Sequence, residues 1–306
     1  MATWKSAAVQ ERIRNAIQSM NGRPVAEDKI FLPASVPGSL KYQQRFMHDA
    51  LHITAVKGNP HLFITITANT YWPEVLALLP FGERANDRID IVSRVFNQKK
   101  KDLFRLLRKK NALFDGHLGL MYAVSVVEWQ LCGLPHAHIA VRLNIDLSKV
   151  PMGTTHDQMR LMERVVSAQL PEEGTEDYHL VNTFMMHGAV CDARCQRKRK
   201  NGTFGCRFYF PKAENTYPRV DKKGFPVYRR RECDGRVVPH NLVVLRELKC
   251  HVCFEWTLNS GASQCVRLIE CSGTRPRETQ RIINRDQRPP FGGPPLISSI
   301  VYTFRS

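Results

Sequence analysis

A short hairpin signal between residues 120 and 143 limits the possible folds of this chain more than any other stretch. Leu120–Trp129 and His136–Leu143 are two mainly apolar runs with the composition of strands. Between them lies Leu131-Cys132-Gly133, which we interpret as a three-residue loop with Gly133 at the position that needs a positive φ. The pattern predicts two antiparallel strands joined by a tight turn.

This hairpin register would bring three potential metal ligands to one face of the sheet. Gln130 would lie opposite Leu134 and Glu128 opposite His136, and His138, two residues further on, would share the face of His136. One carboxylate and two imidazoles with open coordination positions suit a divalent cation that acts as a Lewis acid. The alternative is a pair of half-buried strand histidines beside a surface glutamate. The opposite face is predicted to be core: Ala137, Ile139, Val141 and Leu143.

Further strands and helices are predicted on both sides of this hairpin. Leu62–Ala68 alternates between apolar and polar residues, as a half-buried strand does. Asp87–Lys110 carries an apolar stripe at helical spacing, and Lys41–Val56 and Met152–Leu170 are also predicted to be helices, the last one closed by Pro171. Helices mixed with antiparallel strands indicate an α+β fold with a central antiparallel sheet flanked by helices.

The charge balance points to a polyanionic partner. Lys and Arg number 45 against 28 Asp and Glu, which gives a net charge of +17, and such an excess is typical of nucleic-acid-binding proteins. The alternative is a soluble protein with a basic pI, but the cations are clustered. Two clusters lie near the aromatic residues Phe208 and Tyr209. We expect their basic side chains to contact a nucleic-acid backbone and the aromatic rings to stack on bases. The clusters are Arg197, Lys198, Arg199 and Lys200, and Tyr228, Arg229, Arg230 and Arg231.

The nine cysteines suggest metal ligation or burial rather than disulfides. The sequence shows no apolar signal segment and no apolar run near the length of about 20 residues that spans a bilayer. A nuclear or cytosolic protein is therefore expected, and the run at 197–200 also fits a nuclear import signal. One cluster suits a tetrahedral structural zinc ion: His187, Cys191, Cys195 and Cys206. The alternative is buried or free thiols, and further residues could replace one ligand: Cys233, Cys250, Cys253 and, less well, His251.

Several motifs together resemble the Helitron helicase-like domain, whose relatives initiate rolling-circle replication. The strongest is Gly133-Leu-Pro-His-Ala-His-Ile139, preceded by Glu128-Trp-Gln130. Others follow in family order along residues 30–256, among them Phe63-Ile-Thr-Ile-Thr-Ala-Asn69 and Gly224-Phe-Pro-Val-Tyr-Arg-Arg-Arg231. The resemblance implies an HUH-nuclease-like fold with a Cys/His-rich insertion.

The resemblance also implies a chemistry. In the family, a metal ion polarises the scissile phosphate of single-stranded DNA and a tyrosine attacks it, which leaves a phosphotyrosine on the 5′ end. His136 and His138 carry over as ligands of a Mg or Mn ion by position. The assignment of Glu128 as the third ligand rests on the hairpin register and on the resemblance to related initiators.

The sequence departs from the family where its nucleophile is expected. The family places two tyrosines on a helix shortly after a stretch like His251-Val-Cys-Phe-Glu-Trp256, and an ungapped register puts Cys265 and Ile269 at those positions. No tyrosine occurs between Tyr228 and Tyr302. The chain is therefore expected to be a fragment of a Helitron replication initiator that binds single-stranded DNA with little or no cleavage. The alternative is a DNA-binding remnant or a transposon relic with no catalytic role.

The expected organisation has four parts. Residues 1–30 are a poorly defined lead-in, 31–175 an HUH-nuclease-like core, 176–260 the Cys/His-rich basic segment with the rest of the domain, and 261–306 a divergent tail predicted to be disordered. We find no phosphate-binding loop of the ATPase type. In the family, a helicase region follows the nuclease. That region, or another transposase chain, is therefore expected to act in trans.

Overall fold

A five-stranded antiparallel sheet forms the centre of the computed structural model, which describes residues 40–109, 113, 119–129, 133–144, 156–191, 195–199, 202–222, 225–257 and 301–304. Its strands are β1 (Leu62–Thr67), β2 (Leu120–Trp129), β3 (Pro135–Leu143), β8 (Val252–Trp256) and β9 (Val301–Phe304), in the spatial order β8-β1-β3-β2-β9. Every neighbouring pair is antiparallel. The structure therefore confirms the α+β class and the antiparallel sheet.

Helices accompany the sheet along most of the described chain. They are α1 (Leu40–Lys57), α2 (Pro73–Leu78), α3 (Ile89–Arg108), α4 (His156–Val165), α5 (Glu176–Phe184) and α6 (Leu242–Leu248). Single 3-10 turns lie at Ala85–Asp87 and Glu232–Asp234. None of the helices in this part of the chain combines the length and the apolar character that crossing a membrane requires.

The sheet has two faces with different coverings. On one face, β1 contributes Leu62, Ile64 and Ile66, which join the main core together with residues of β2, β3 and β8. The apolar stripe of α3 packs into this core, and so does α4. The other face carries a smaller cluster in which Ala50 of α1 meets Ala140 of β3. The alternation predicted for β1 thus separates a core face from a partly open one.

Helix α3 follows the predicted periodicity closely. Val92, Phe96, Leu103 and Leu107 are buried, as their spacing requires. The predicted start at Asp87 belongs to the preceding 3-10 turn. Lys100 is only 6% exposed although its side chain is charged; its long aliphatic stem can pack against apolar neighbours.

Helix α4 is shorter than its sequence pattern predicts. It ends at Val165 rather than at Leu170. The reason is a pair of backbone hydrogen bonds from beyond the helix: Ser167 N–H donates to His240 O at 2.9 Å, and His240 N–H donates to Ser167 O at 2.8 Å. This bridge draws the chain into an extended conformation before Pro171 is reached.

The region after α5 contains two small hairpins and a second core. The hairpins are β4 (Gln196–Lys198) with β5 (Phe204–Cys206), and β6 (Arg219–Val220) with β7 (Pro226–Val227). Helices α5 and α6 share a small core with residues from the segment between them: Leu180, Val181, Met185, Val237 and Leu245. Strand β8 then returns to the central sheet beside β1, so this region is structurally continuous with the preceding one.

Of the predicted tail, the structure describes residues 301–304 alone. They form β9 at the edge of the sheet, where Tyr302 pairs with Val124 of β2. Residues 258–300, which include most of the tail predicted to be disordered (261–306), and the lead-in at 1–30 lie outside the described part of the chain.

Candidate functional site

The β2–β3 hairpin has the geometry that the sequence predicts. Gly133 has a φ of 80°, the left-handed conformation expected for the loop. In the ladder, Glu128 pairs with His136 and Val126 pairs with His138. Because directly paired residues share a face, the carboxylate and both imidazoles lie on the same side of the sheet. The loop residues Gln130, Leu131 and Cys132 lie outside the described residues.

Glu128, His136 and His138, here called the hairpin site, are close enough to share one ion. Their candidate ligand atoms all lie within 4.8 Å of one another. His138 Nε2 is 3.0 Å from Glu128 Oε1. The side chains of His138 and Glu128 are 12% and 26% exposed.

Two threonines on β1 orient the imidazoles. Thr67 Oγ1 lies 2.8 Å from His136 Nδ1, and Thr65 Oγ1 lies 3.1 Å from His138 Nδ1. Each Nδ1 is thus engaged by a hydroxyl, so Nε2 is the ring nitrogen that can bind an ion. Such outer contacts fix the orientation and tautomer of metal-binding histidines. Sequence reasoning missed this role, although the polar alternation along β1 marks both threonines.

The electrostatics keep His136 neutral. Burial, with smaller contributions from the neighbouring His138 and His251, lowers the pKa of His136 from 6.5 to about 3. His251 itself is held by a hydrogen bond from Nδ1 to Phe184 O at 2.8 Å, and burial lowers its pKa as well. A neutral imidazole has the lone pair that a cation needs, so no proton competes for His136 at neutral pH.

The donor set of the hairpin site fits a divalent cation. Two imidazole nitrogens and one carboxylate make a facial set of three, which leaves coordination positions for substrate oxygens. The third donor, Glu128, comes from β2 and the histidines from β3, so the turn at Gly133 fixes their relative position.

A second group of donors, the cysteine site, consists of His187, Cys191, Cys195 and Cys206, whose ligand atoms also lie within 4.8 Å of one another. His187 Nε2 is 3.1 Å from Cys195 Sγ and 3.6 Å from Cys206 Sγ, and the two sulfurs are 3.5 Å apart. Zinc–sulfur bonds of about 2.3 Å in a tetrahedron would separate two sulfurs by about 3.8 Å. The observed spacing is close to that of a tetrahedral site.

The close packing of the thiols at the cysteine site opposes their ionisation. Burial, together with the neighbouring thiols of Cys206 and Cys191, raises the pKa of Cys195 to about 12. Thiols packed this tightly cannot all ionise unless a cation neutralises them. His187 Nδ1 donates to Gly188 O at 3.1 Å, which leaves the lone pair on Nε2, the nitrogen that faces the sulfurs.

The other cysteines considered as ligands lie apart from this group. Cys250 is buried, and burial raises its pKa to about 12. Cys253 lies on β8 opposite Thr65 of β1, and Cys233 is exposed. Among the described residues, the four predicted first are therefore those that the fold brings together.

The basic run at 197–199 lies on the surface. Arg197 and Lys198 are exposed on β4, and Arg199 is exposed directly after it. Lys200 lies outside the described residues. These side chains stand where a phosphate backbone could reach them.

The second predicted contact cluster, 228–231, requires a correction. Tyr228 is 8% exposed, and its hydroxyl accepts a hydrogen bond from Trp256 N–H at 2.9 Å. Arg230 is 5% exposed and donates to Asp234 O and Val237 O, both at 2.7 Å. Both side chains are structural and cannot contact DNA, because the protein's own backbone already surrounds them.

The remaining two residues of that cluster keep surface positions. Arg231 binds Asp234 Oδ2 through Nε at 3.0 Å and is 54% exposed. Arg229 is 48% exposed and lies 3.6 Å from a Glu163 carboxylate oxygen. Arg229 is thus the residue of the run with the weakest internal contact.

The positions where the family's tyrosines would fall, Cys265 and Ile269, lie outside the described residues. The nucleophile question therefore rests on the sequence, which has no tyrosine between Tyr228 and Tyr302.

Comparison with known proteins gives a family match for the N-terminal part of the chain. Residues 2–141 match the family model described as the Helitron helicase-like domain at the N-terminus. This stretch contains Glu128, His136 and His138, whereas the cysteine site follows it. No curated protein matches the chain. Residues 2–141 are thus similar to the Helitron helicase-like domain, which supports a function related to Helitron transposons.

Proposed function

We propose that this chain is a Helitron replication-initiator domain that binds single-stranded DNA and a Mg or Mn ion at the hairpin site, with its ancestral nicking activity reduced or lost. One observation carries the proposal: Glu128, His136 and His138 converge on one face of a hairpin within the stretch that matches the family. The strongly basic chain supplies the matching charge for DNA.

The residues of the hairpin site have distinct parts in this function. A bound ion would act as a Lewis acid on a phosphate oxygen of the DNA. His136 and His138 would hold it through Nε2, because Thr67 and Thr65 engage the other ring nitrogens. Glu128 would supply the anionic third ligand.

Because the positions expected for the nucleophile carry no tyrosine, we propose DNA binding and DNA cleavage separately. Covalent nicking needs a hydroxyl activated near the ion, and the expected positions carry Cys265 and Ile269 instead of tyrosines. We therefore propose binding with little or no cleavage. A DNA-binding remnant without a catalytic role is the second candidate, favoured by the same observation. A tyrosine or a helicase region from another transposase chain would have to act in trans.

The cysteine site is proposed to hold structural zinc. Its one imidazole and three thiols are the soft donors that zinc prefers, and their spacing fits a tetrahedron. Arg197, Lys198, Arg199, Arg229 and Arg231 are the proposed backbone contacts. Because the proposed partner is DNA, we also propose a nuclear location.

The experiment uses a labelled single-stranded oligonucleotide with manganese, scored for binding, for a nick and for a covalent protein–DNA adduct. His136→Ala tests the site, and His179→Ala, an exposed histidine on α5, is the matched control. We expect DNA binding without product. A nick or adduct that disappears in His136→Ala alone would establish an active nuclease, and Cys265 would be tested next. Absence of binding would reject the proposed function.

A further inference from the structure

The hairpin formed by β4 and β5 grows directly out of the cysteine site. Gln196 follows one ligand, Cys195, and pairs with another, Cys206, which ends β5. Arg207 N–H then donates to Cys195 O at 2.8 Å, which closes the base of the hairpin. We call the described residues 195–199 and 202–212 the knuckle.

The β-ladder of the knuckle is short. Each of its two strands has three residues, and hairpins of this size are marginal in water. Phe204, at the far end of the described ladder, is 67% exposed and so adds little to a core. Phe208 N–H donates to Cys206 Sγ at 3.3 Å. Ligation of the sulfurs would add to the hydrogen bonds that hold this segment, such as the one from Lys212 N–H to Gly235 O, since metal binding to such a site contributes directly to folding.

Three aromatic rings project from the knuckle within six positions of sequence. Phe204 is 67% exposed, Phe208 49% and Tyr209 68%. Single exposed rings are common on protein surfaces, but a group of them on one small element marks an interaction site. Two of them already pair with cations: Arg207 Cζ lies 4.5 Å from the Phe208 ring centroid, and Lys212 Nζ lies 5.9 Å from that of Tyr209.

The cations of the knuckle complement a polyanion. Arg197, Lys198, Arg199 and Arg207 are all exposed. Arg199 lies across the backbone of Gly205, where a β-carbon would come within 2.4 Å of its Nε. The glycine thus lets the guanidinium lie flat on the hairpin. Rings interleaved with cations are the surface that single-stranded DNA requires, because bases stack on the rings while phosphates contact the cations.

We propose that the knuckle is a second single-stranded DNA-binding site, distinct from the hairpin site, and that a zinc ion in the cysteine site holds it in its binding conformation. Phe204, Phe208 and Tyr209 stack on bases, and the surrounding arginines contact phosphates. This rests on the proposed function for the choice of single-stranded DNA as substrate, but needs neither manganese nor cleavage.

The first experiment measures the affinity of the zinc-loaded full chain for fluorescent oligothymidine by anisotropy, with no manganese present. The double variant Phe204→Ala/Tyr209→Ala should bind about ten-fold or more weakly, since each stacked ring contributes substantially. Phe81→Ala is the matched control, because Phe81 is a fully exposed ring outside the knuckle, and it should bind like the wild type. Duplex DNA, whose bases are not open to stacking, should respond to none of the three substitutions.

The second experiment tests the role of the metal. Zinc per chain is measured with a chromophoric chelator after thiol modification, in the wild type, Cys195→Ser and Cys206→Ser. Both variants should lose the bound zinc and lose oligothymidine affinity to a similar extent as the aromatic variant, with far-UV circular dichroism little changed. His136→Ala should retain both zinc and this affinity.

The outcomes separate the knuckle from the hairpin site. Unchanged affinity in Phe204→Ala/Tyr209→Ala, or a wild type that holds no zinc, would overturn the inference even if manganese-dependent binding were observed. Loss of oligothymidine affinity in His136→Ala, with the aromatic variant unaffected, would assign all binding to the hairpin site. Oligonucleotide binding that neither manganese nor His136→Ala changes would count against the proposed hairpin site and leave the knuckle standing.

Discussion

Glu128 lies directly opposite His136 in the β2–β3 ladder. All three donors of the hairpin site therefore come from one hairpin, and the turn sets their relative positions. Gly133 makes that turn with a positive φ, so the integrity of a potential metal site depends on a residue with no side chain.

Replacement of Gly133 by alanine should destabilise the hairpin. A positive φ of 80° strains any residue with a β-carbon, by about 1–2 kcal/mol. The new carbon would also come within 2.4 Å of Ile89 Cδ1, and moving that side chain off its rotamer costs about 1 kcal/mol more. Thermal unfolding of Gly133→Ala and the control Gly174→Ala, which has a φ of 85° and no atom nearby, separates the two effects. Equal losses in both would refute the contact with Ile89.

Loss of the Thr67 hydroxyl should weaken manganese binding without unfolding the chain. Thr67 Oγ1 contacts His136 Nδ1 at 2.8 Å, and loss of such an outer contact typically costs about 10–100-fold in metal affinity. Isothermal titration of Thr67→Val with Mn²⁺ should give this decrease, whereas Thr67→Ser should remain near the wild type. If valine binds as well as serine, the hydroxyl does not orient the ligand.

Stability should fall in mild acid because of His61. Burial, and then the nearby Arg142 charge, lower the pKa of His61 from 6.5 to about 4; its Nε2 lies 3.1 Å from Arg142 Nη1. The unfolded chain therefore takes up the proton first, so this stabilisation is complete above pH 6.5 and is lost as the pH falls towards 4.

The expected size of the His61 effect is about 3 kcal/mol across that window, from the size of the shift. Urea unfolding of the wild type and of His61→Asn is measured between pH 7 and 4. The effect of His61 is the difference between the two proteins in how far the free energy of unfolding falls over this range. Parallel pH profiles would show that His61 does not contribute.

The two neighbours Tyr228 and Arg229 should have opposite phenotypes. Tyr228→Phe leaves the buried Trp256 N–H without its acceptor, which should cost about 1–3 kcal/mol of stability with DNA affinity unchanged. Arg229→Ala should weaken DNA binding modestly and leave stability nearly unchanged, because its contact with Glu163 is long and exposed. Urea unfolding and fluorescence anisotropy on both variants measure these effects. Reduced DNA affinity in Tyr228→Phe at full stability would show that the Tyr228 hydroxyl contacts DNA.

The hairpin and its donors could be predicted because the information is local. A glycine at the loop and the two-residue alternation of strands fix which side chains share a face. The threonines that orient the histidines could not be assigned in the same way, because the pairing of Thr67 with His136 depends on the register between β1 and β3, two strands far apart in sequence.

The run at 228–231 shows a different limit. Its sequence reveals charge but not burial, and Arg230 is enclosed by carbonyls of Asp234 and Val237 that only the folded loop supplies. A similar nonlocal contact ended α4 early, when His240 paired with Ser167. By contrast, the four donors of the cysteine site were predictable from residue type and rough spacing, since soft ligands in one segment tend to converge.

The most direct test of the hairpin site is Mn²⁺ binding followed by electron paramagnetic resonance on the full chain. The wild type and His179→Ala should each bind one Mn²⁺, and His136→Ala and His138→Ala should each bind at least about ten-fold more weakly, because removal of a direct ligand costs no less than that of an outer contact. Mn²⁺ affinity in His136→Ala and His138→Ala equal to that of the wild type would contradict the assignment of Glu128, His136 and His138 as a metal centre.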